Sequence, residues 1–277
     1  MTKENKELTT QQGLGAFAAF KSVGADKEGF DLDASDAKLP KIKILQSTSQ
    51  EVAKSGGKLR AGQFYNTVTC EATDTIDCIL LDQGKSMIMW PESFKRGEDP
   101  LCRSIDGKTK TEGCGDGNCE TCQYSSQNPQ AWRNLKDGKT KPPCNKSYVW
   151  LAIDCKTKMP FRIIASGASV APTKDFLNKL IMLNVEPFAC KVTLATAQKE
   201  NDKGLFYVLD YTNLRENDEA LNSDGSLNLD AYEGFRKQRE TYKELFMIHF
   251  ADGDTVSESG VAQQEGSSSN DTSADFF

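Results

Sequence analysis

Long apolar runs are missing from this chain of 277 residues. No stretch approaches the roughly 18 apolar residues that a transmembrane helix requires, so no membrane span and no membrane partner is expected. The opening segment, Met1 to Gln12, is polar and lacks the apolar centre of a secretory signal, so a cytosolic protein is expected. Histidine is almost absent, with His249 alone. That all but excludes His-based triads, HExxH zinc proteases and His-dependent nucleases. No phosphate-binding loop occurs: Gly113-Cys-Gly-Asp-Gly117 is followed by no Lys-Ser/Thr and preceded by no strand. Apolar residues make up 38% of the chain, short of the roughly 45–50% usual for globular domains. Part of the chain is therefore expected to be tail or linker.

Positive charge is missing from the C-terminus. Residues 251–277 hold Asp252, Asp254, Glu258, Glu265, Asp271 and Asp275 and no Lys or Arg. The whole chain has a net charge of −6, so the body is neutral overall. Within it, residues 38–69 and residues 85–162 each carry a net +5. The pI of about 5.1 thus hides two basic stretches behind an acidic tail. This asymmetry suits a polyanion-binding body with a detachable acidic competitor.

The pattern along the chain predicts an N-terminal arm over 1–38, a nucleic-acid-binding domain over 39–250 and a disordered tail over 251–277. Lys41-Ile-Lys-Ile-Leu45 alternates as a half-buried strand does. Short strands are expected at 63–69, 75–82 and 85–90, with Asp82-Gln-Gly-Lys85 as a hairpin connection. Residues 91–146 lose periodicity and fill with Gly, Pro, Asn, Lys and Cys. A loop that long in a compact domain needs a staple. Strands resume at 147–153 and 159–165. A helix follows with Pro172 in its first turn and Phe176, Leu177, Leu180 and Ile181 on one face. Two more strands, 189–196 and 205–211, precede a last amphipathic helix over about 229–246. The fold class expected is mainly β (α+β), an OB-like antiparallel barrel with a stapled insertion and flanking helices; an α+β sandwich is the alternative.

Nine cysteines without a secretory signal point to a reducing compartment and to metal binding. Five lie between positions 102 and 144. Cys119-Glu-Thr-Cys122 can chelate one ion from a tight turn, and two separated cysteines can complete a tetrahedron. The expected set is Cys102, Cys119, Cys122 and Cys144, with Cys114 the alternate to Cys102. Four thiolates leave no open position for water, so the Zn²⁺ would be structural. Cys70, Cys78, Cys155 and Cys190 are expected as small hydrophobes buried in strands.

Aromatic residues recur beside basic ones: Tyr65 after Arg60, Trp90 and Phe94 before Lys95-Arg96, Trp132 with Arg133, and Tyr148 and Trp150 after Lys146. Binding a single strand without strong sequence preference needs such a cationic groove with aromatic faces. A period of two puts Tyr148 and Trp150 on one face without saying which face is core. Phe206 and Tyr207 are expected in the core. The carboxylate pairs Asp31/Asp33 and Glu216/Asp218 read as solvated loop charge. No catalytic residues are visible, and the protein is not expected to be an enzyme.

The chain ends Asp275-Phe276-Phe277. This tip is similar to the acidic, Phe-terminated tip of bacterial and phage single-stranded DNA-binding proteins, which recruits replication and repair partners. The body resembles phage-encoded single-stranded DNA-binding proteins in Leu39-Pro-Lys-Ile-Lys-Ile-Leu-Gln46, Gly62-Gln-Phe-Tyr-Asn66, Trp90, Cys102-Arg-Ser-Ile-Asp-Gly107, the CxxC and Pro142-Pro-Cys144. Two departures stand out: the Gly113–Asn118 stretch adds Cys114, and the tip ends Asp-Phe-Phe rather than Pro-Phe. The resemblance implies an OB-type fold with a zinc insertion, working in a phage replication or recombination module in the cytosol of the infected host. On that reading Lys41, Lys43, Lys58, Arg60, Lys95, Arg96, Lys139 and Lys141 line a DNA groove, and Tyr65, Trp90 and Trp132 stack on bases. The tail would occupy the groove when DNA is absent, and the tip, Asp275, Phe276 and Phe277, would bind partners; a homo-oligomer is possible. The rival expectation is a zinc-containing transcription regulator that reads duplex DNA or grips RNA polymerase, with Arg236-Lys-Gln-Arg239 in the last helix as its best reader.

Overall fold

The computed structural model describes residues 39–91, 100–110, 112–113, 117–134, 142–202 and 204–251, with side chains omitted at 112, 134 and 244–251. All belong to the unit that runs from residue 38 to the end of the chain. The expected arm over 1–38 and tail over 252–277 lie outside the described residues.

Ten strands form one curled, mixed sheet, a half-barrel: β1 Lys41–Ile44, β2 Phe64–Asn66, β3 Ala72–Thr73, β4 Ile76–Met89, β5 Cys102–Ser104, β6 Glu112–Gly113, β7 Cys144–Asp154, β8 Pro160–Ala165, β9 Cys190–Asn201 and β10 Gly204–Glu216. The main path runs β10-β9-β4-β7-β8-β1-β2-β3, with β5 and β6 branching from β4. Neighbours pair antiparallel except β1 with β8. Among the described residues four α-helices accompany the ten strands: α1 Gln50–Lys54, α2 Pro129–Asn134, α3 Val170–Leu183 and α4 Leu229–Ala251.

The long strand β4 organises the rest. Its first residues pair with β9, its whole second half with β7, and its end with β5. Asp82-Gln-Gly-Lys85 is therefore no hairpin. The chain runs straight through it after a bulge between Leu80 and Asp82. A bulge bends a strand and adds twist, which lets one strand serve both the barrel and its extension.

Alternation then sorts the core. Ile42, Ile44, Phe64, Tyr148, Trp150, Ile163 and Leu194 point inward, where α3 caps them with Phe176 and Leu180. The outward face of β4 and β7 is also buried: Ile79, Leu81, Val149, Leu151 and Ile153 pack under Tyr232, Phe235 and Tyr242 of α4. Asn228 caps α4, its Oδ1 accepting the Ala231 N–H at 3.0 Å. In α3, Ile181 is 73% exposed instead of sharing the buried face; Thr173, Phe176 and Leu180 form that face, and Leu177 packs at its margin. Phe206 and Tyr207 are half-buried rather than central. Cys78 and Cys190 are buried as expected, whereas Cys70 is exposed in a turn with φ 60° and Cys155 is half-buried after β7.

The sheet's ends are clipped by a side chain. Gln46 donates Nε2–H to the Tyr207 carbonyl and accepts the Tyr207 N–H on Oε1, both at 2.9 Å. It stands in for a strand between β1 and β10. Beside it, Thr196 donates to the Gly62 carbonyl at 2.7 Å. Gly62 has φ +87°, and a Cβ there would lie 2.6 Å from the Tyr207 ring, so only glycine fits. Gln46→Leu keeps the volume but strips two part-buried backbone groups of their partners, at about 1–2 kcal/mol for each, the lower part of the range for fully buried groups. Urea unfolding should show a loss of about 2–4 kcal/mol; a loss under about 0.5 kcal/mol would mean that the clip contributes nothing.

Candidate nucleic-acid interface

On β1 the inward Ile42 and Ile44 leave Lys41 and Lys43 on the outward face. Lys43 lies opposite Tyr65 of β2 in register, and its Nζ sits 5.7 Å from the Tyr65 ring centroid. Glu51 of α1 accepts a hydrogen bond from the same Nζ. The Tyr65 hydroxyl is held protonated, its pKa pushed up to about 12 by its hydrogen bond with Cys70, by partial burial and by the charges of Cys70 and Glu51. A neutral phenol beside two lysines offers a stacking face without repelling phosphate. Lys58 and Arg60 lie in the exposed turn before β2. Arg60 reaches Asp74 at 2.6 Å, an exposed pair that stabilises little. The structure thus gathers Lys41, Lys43 and Tyr65 on one surface, with Lys58 and Arg60 on the adjoining turn.

Other expected contacts fall elsewhere. Trp90 is half-buried just past the end of β4. Trp132 is 43% exposed on α2, its Nε1–H donating to the Ser126 carbonyl at 2.9 Å, so it belongs to the cysteine segment. Lys95, Arg96, Lys139 and Lys141 lie outside the described residues, as do Cys114, Asp275, Phe276 and Phe277. In α4, Arg239 is 3.3 Å from Asp82 and Arg236 is 3.4 Å from Glu233, and the helix packs on the sheet rather than projecting as a reading head.

Two arginines were not among the expected groove residues, although Arg162 follows Phe161 as another basic residue beside an aromatic one. Arg162 of β8 stands directly beside Lys41 in register and is buried. Burial, then the charge of Arg103, lowers its guanidinium pKa to about 10. Arg103, also buried, lies on β5 opposite Ile88. The available signal was Arg162 as the lone charge within Phe161–Ala165.

The cysteine segment has a defined scaffold. Met89 faces Cys102 on one side and Cys144 on the other. Met87, Met89, Cys102, Cys119 and Cys144 form one buried cluster, and Cys122 is buried too. Asn118 builds the CxxC turn, its carbonyl accepting the Cys122 N–H at 3.1 Å and its Oδ1 the Glu120 N–H at 2.8 Å. Cys144 N–H donates to the Tyr124 carbonyl at 2.9 Å, tying that turn to β7. Asp106 accepts from Lys108 and Thr109 N–H and from Ser104; partial burial raises its pKa, but these donors outweigh it and lower it overall. Burial raises the Cys119 thiol pKa, with Ser104 opposing and the neighbouring Cys122 and Asp106 adding to the rise. Gly113 has φ +98°, and a Cβ there would collide with the Leu101 carbonyl. Four buried thiols suit zinc chemically. Among the described residues no three Cys, His, Asp or Glu side chains stand close enough together to hold an ion, so binding one would require these thiols to draw together around it.

Among the described residues, no helix is long and apolar enough to cross a membrane. No curated protein and no solved structure shows a significant match to the sequence. A family model does, described as Pam3 phage gp34-like protein, over residues 9–241. That span covers β1 to β10 and more than half of α4, and the chain belongs to this phage-associated family.

Proposed function

We propose that this protein binds single-stranded DNA without strong sequence preference, as a non-enzymatic part of a phage replication or recombination module. The observation that carries this reading is the outward surface of β1 and β2, where Lys43 lies over the neutral ring of Tyr65 and Lys41 shares the same face of β1. The strand order supports an OB-like frame. A long bulged strand, β4, pairs with both β7 and β9; β8 follows β7; and α3 separates β8 from β9. An OB-fold binds oligonucleotides on its second and third strands, the places that β7 and β8 take here. α4 covers the outward side of β7, so the exposed part of that sheet face lies beyond β8, on β1 and β2. The cysteine segment fills the connection between the first and second barrel strands, next to the same face, and a structural Zn²⁺ on Cys102, Cys119, Cys122 and Cys144, or with Cys114 for Cys102, would hold it. The tip Asp275-Phe276-Phe277 would recruit replication proteins.

Tryptophan fluorescence, titrated with oligo-dT and with a matched duplex at two salt concentrations, tests the proposal. The single strand should quench and bind more tightly, with log affinity falling by about 0.7 per phosphate contact per log salt. Tyr65→Ala should weaken dT binding about 5- to 100-fold, the loss of one stacked base. Equal or tighter binding of the duplex would favour the transcription-regulator reading. No binding of either strand form would end the proposal.

A further inference from the structure

Several basic side chains among the described residues have an acid partner. Lys43 has Glu51, Arg60 has Asp74, Lys158 has Glu219, Lys191 has Asp218 and Glu219, and Arg239 has Asp82. One cluster does not, and it sits on the other side of the sheet. Beyond the half-barrel, β4 and β7 continue as a paired ribbon, which β5 joins from Met87 onward. There Lys85 lies opposite Tyr148 and Met87 opposite Lys146, so register places Lys85, Lys146 and Tyr148 on the inward face. Cross-strand neighbours of this kind touch. Lys146 lies with its Nζ 5.2 Å from the Tyr148 ring centroid. Phe176 of α3 packs on Trp150 of β7, with ring centroids 6.0 Å apart, so this helix lies alongside the same strand, and the exposed Lys174 is on its turn next to Phe176, away from the buried face. No carboxylate among the described residues pairs with any of the three lysines. Burial, then the charges of Lys85 and Lys174, lowers the Lys146 pKa.

We propose that Lys85, Lys146 and Lys174 form a second seat for the phosphates of a nucleic-acid strand, distinct from the Tyr65 surface and on the opposite face of the sheet. This rests on the single-strand reading above. The ligand chemistry follows from the side chains. Three ammonium groups on long stems neutralise phosphates, and the one ring present, Tyr148, is buried, so no base stacks there. Lys85 and Lys174 are exposed on an open surface, which suits a passing backbone better than an enclosed small anion. A strand that touches both seats must pass around the sheet, which gives the protein grip without sequence readout.

The test compares the full-length protein with Lys85→Gln/Lys146→Gln/Lys174→Gln, and with Lys85→Gln/Lys174→Gln, which alters exposed positions only. Thermal melting checks that both fold. Affinity for dT30 is measured across a salt series. The triple variant should lose about 2 from the slope of log affinity against log salt, and the double variant about 1.4. Affinity for dT30 at low salt should fall at least about tenfold in the triple variant. Unchanged slopes in folded variants, with the parent binding normally, would overturn this seat and leave the Tyr65 reading standing. A parent that does not bind dT30 at all would sink both. Inorganic tripolyphosphate separates the sources of phosphate: tight binding of tripolyphosphate, lost in the variants while their dT30 slopes stay unchanged, would assign the lysines to a free polyphosphate and overturn the proposal.

Discussion

Trp150→Ala should cost about 3–5 kcal/mol of folding stability, the range for emptying a large buried aromatic site. A domain with about 5–15 kcal/mol to lose would be left marginal. The size of the effect comes from what Trp150 joins. Its side chain is fully buried, lies edge-on to both Phe176 and Tyr211, and begins a chain of hydrogen bonds. Trp150 Nε1–H donates to the Tyr211 hydroxyl at 2.7 Å. That hydroxyl lies 2.9 Å from Thr173 Oγ1, and Thr173 donates to the Ser169 carbonyl at 2.8 Å. Burial raises the Tyr211 pKa far enough to keep the phenol protonated as donor. The chain runs from β7 through β10 into α3, so it fixes the helix that caps the barrel. Trp150→Phe keeps most of the packing and breaks only the first link, and should cost about 1–2 kcal/mol more than packing alone predicts. Equilibrium urea unfolding of both variants decides the matter. If Trp150→Ala lost less than about 1 kcal/mol, Trp150 would not be at the centre of this core.

Much of this barrel was legible in the sequence because its strands alternate. Lys41 to Leu45 shows the clearest case, with both lysines outward as the pattern requires. Tyr148 to Ile153 shows where alternation runs out. The pattern places Tyr148 and Trp150 together, yet Val149 and Leu151 are equally apolar because α4 covers their side. Only a contact nearly a hundred residues away in sequence decides which face is inside. The Gly84 region misled for a related reason. A Gln-Gly pair marks a turn locally, but β4 is held straight by β7 along its whole second half, and tertiary pairing overrides the local preference. Gln46 shows no signal at all, since a buried glutamine replacing a strand depends on where β10 arrives. The proposed interface was legible in its basic and aromatic composition, not in the proposed second seat: Lys85 and Lys146 sit two residues from Met87 and Cys144 and look like ordinary loop charge until register is known.

One zinc ion per chain is expected on metal analysis of protein purified from zinc-supplemented cells, and Cys119→Ser/Cys122→Ser should lose it. The argument starts from desolvation. Cys119 and Cys122 are both buried, and burial, with the neighbouring Cys122 adding to it, raises the Cys119 thiol pKa. A divalent cation reverses that sign, turning two mutually repelling thiolates into ligands. Apparent binding energies of structural zinc sites are about 10–16 kcal/mol at neutral pH in small peptides, so the cysteine segment should depend on the ion for its order. The barrel should not, because its two main clusters contain none of Cys102, Cys119, Cys122 or Cys144. Chelation should therefore shift the fluorescence of Trp132, which is anchored to Ser126 inside the segment, and open residues 91–146 to protease while the barrel still unfolds cooperatively. Comparing Cys102→Ser with Cys114→Ser identifies the fourth ligand, since only the true ligand's loss lowers the metal content. Protein free of zinc, with Trp132 emission unaffected by chelator, would instead make Met87, Met89, Cys102, Cys119 and Cys144 a small apolar core that holds the insertion by packing alone.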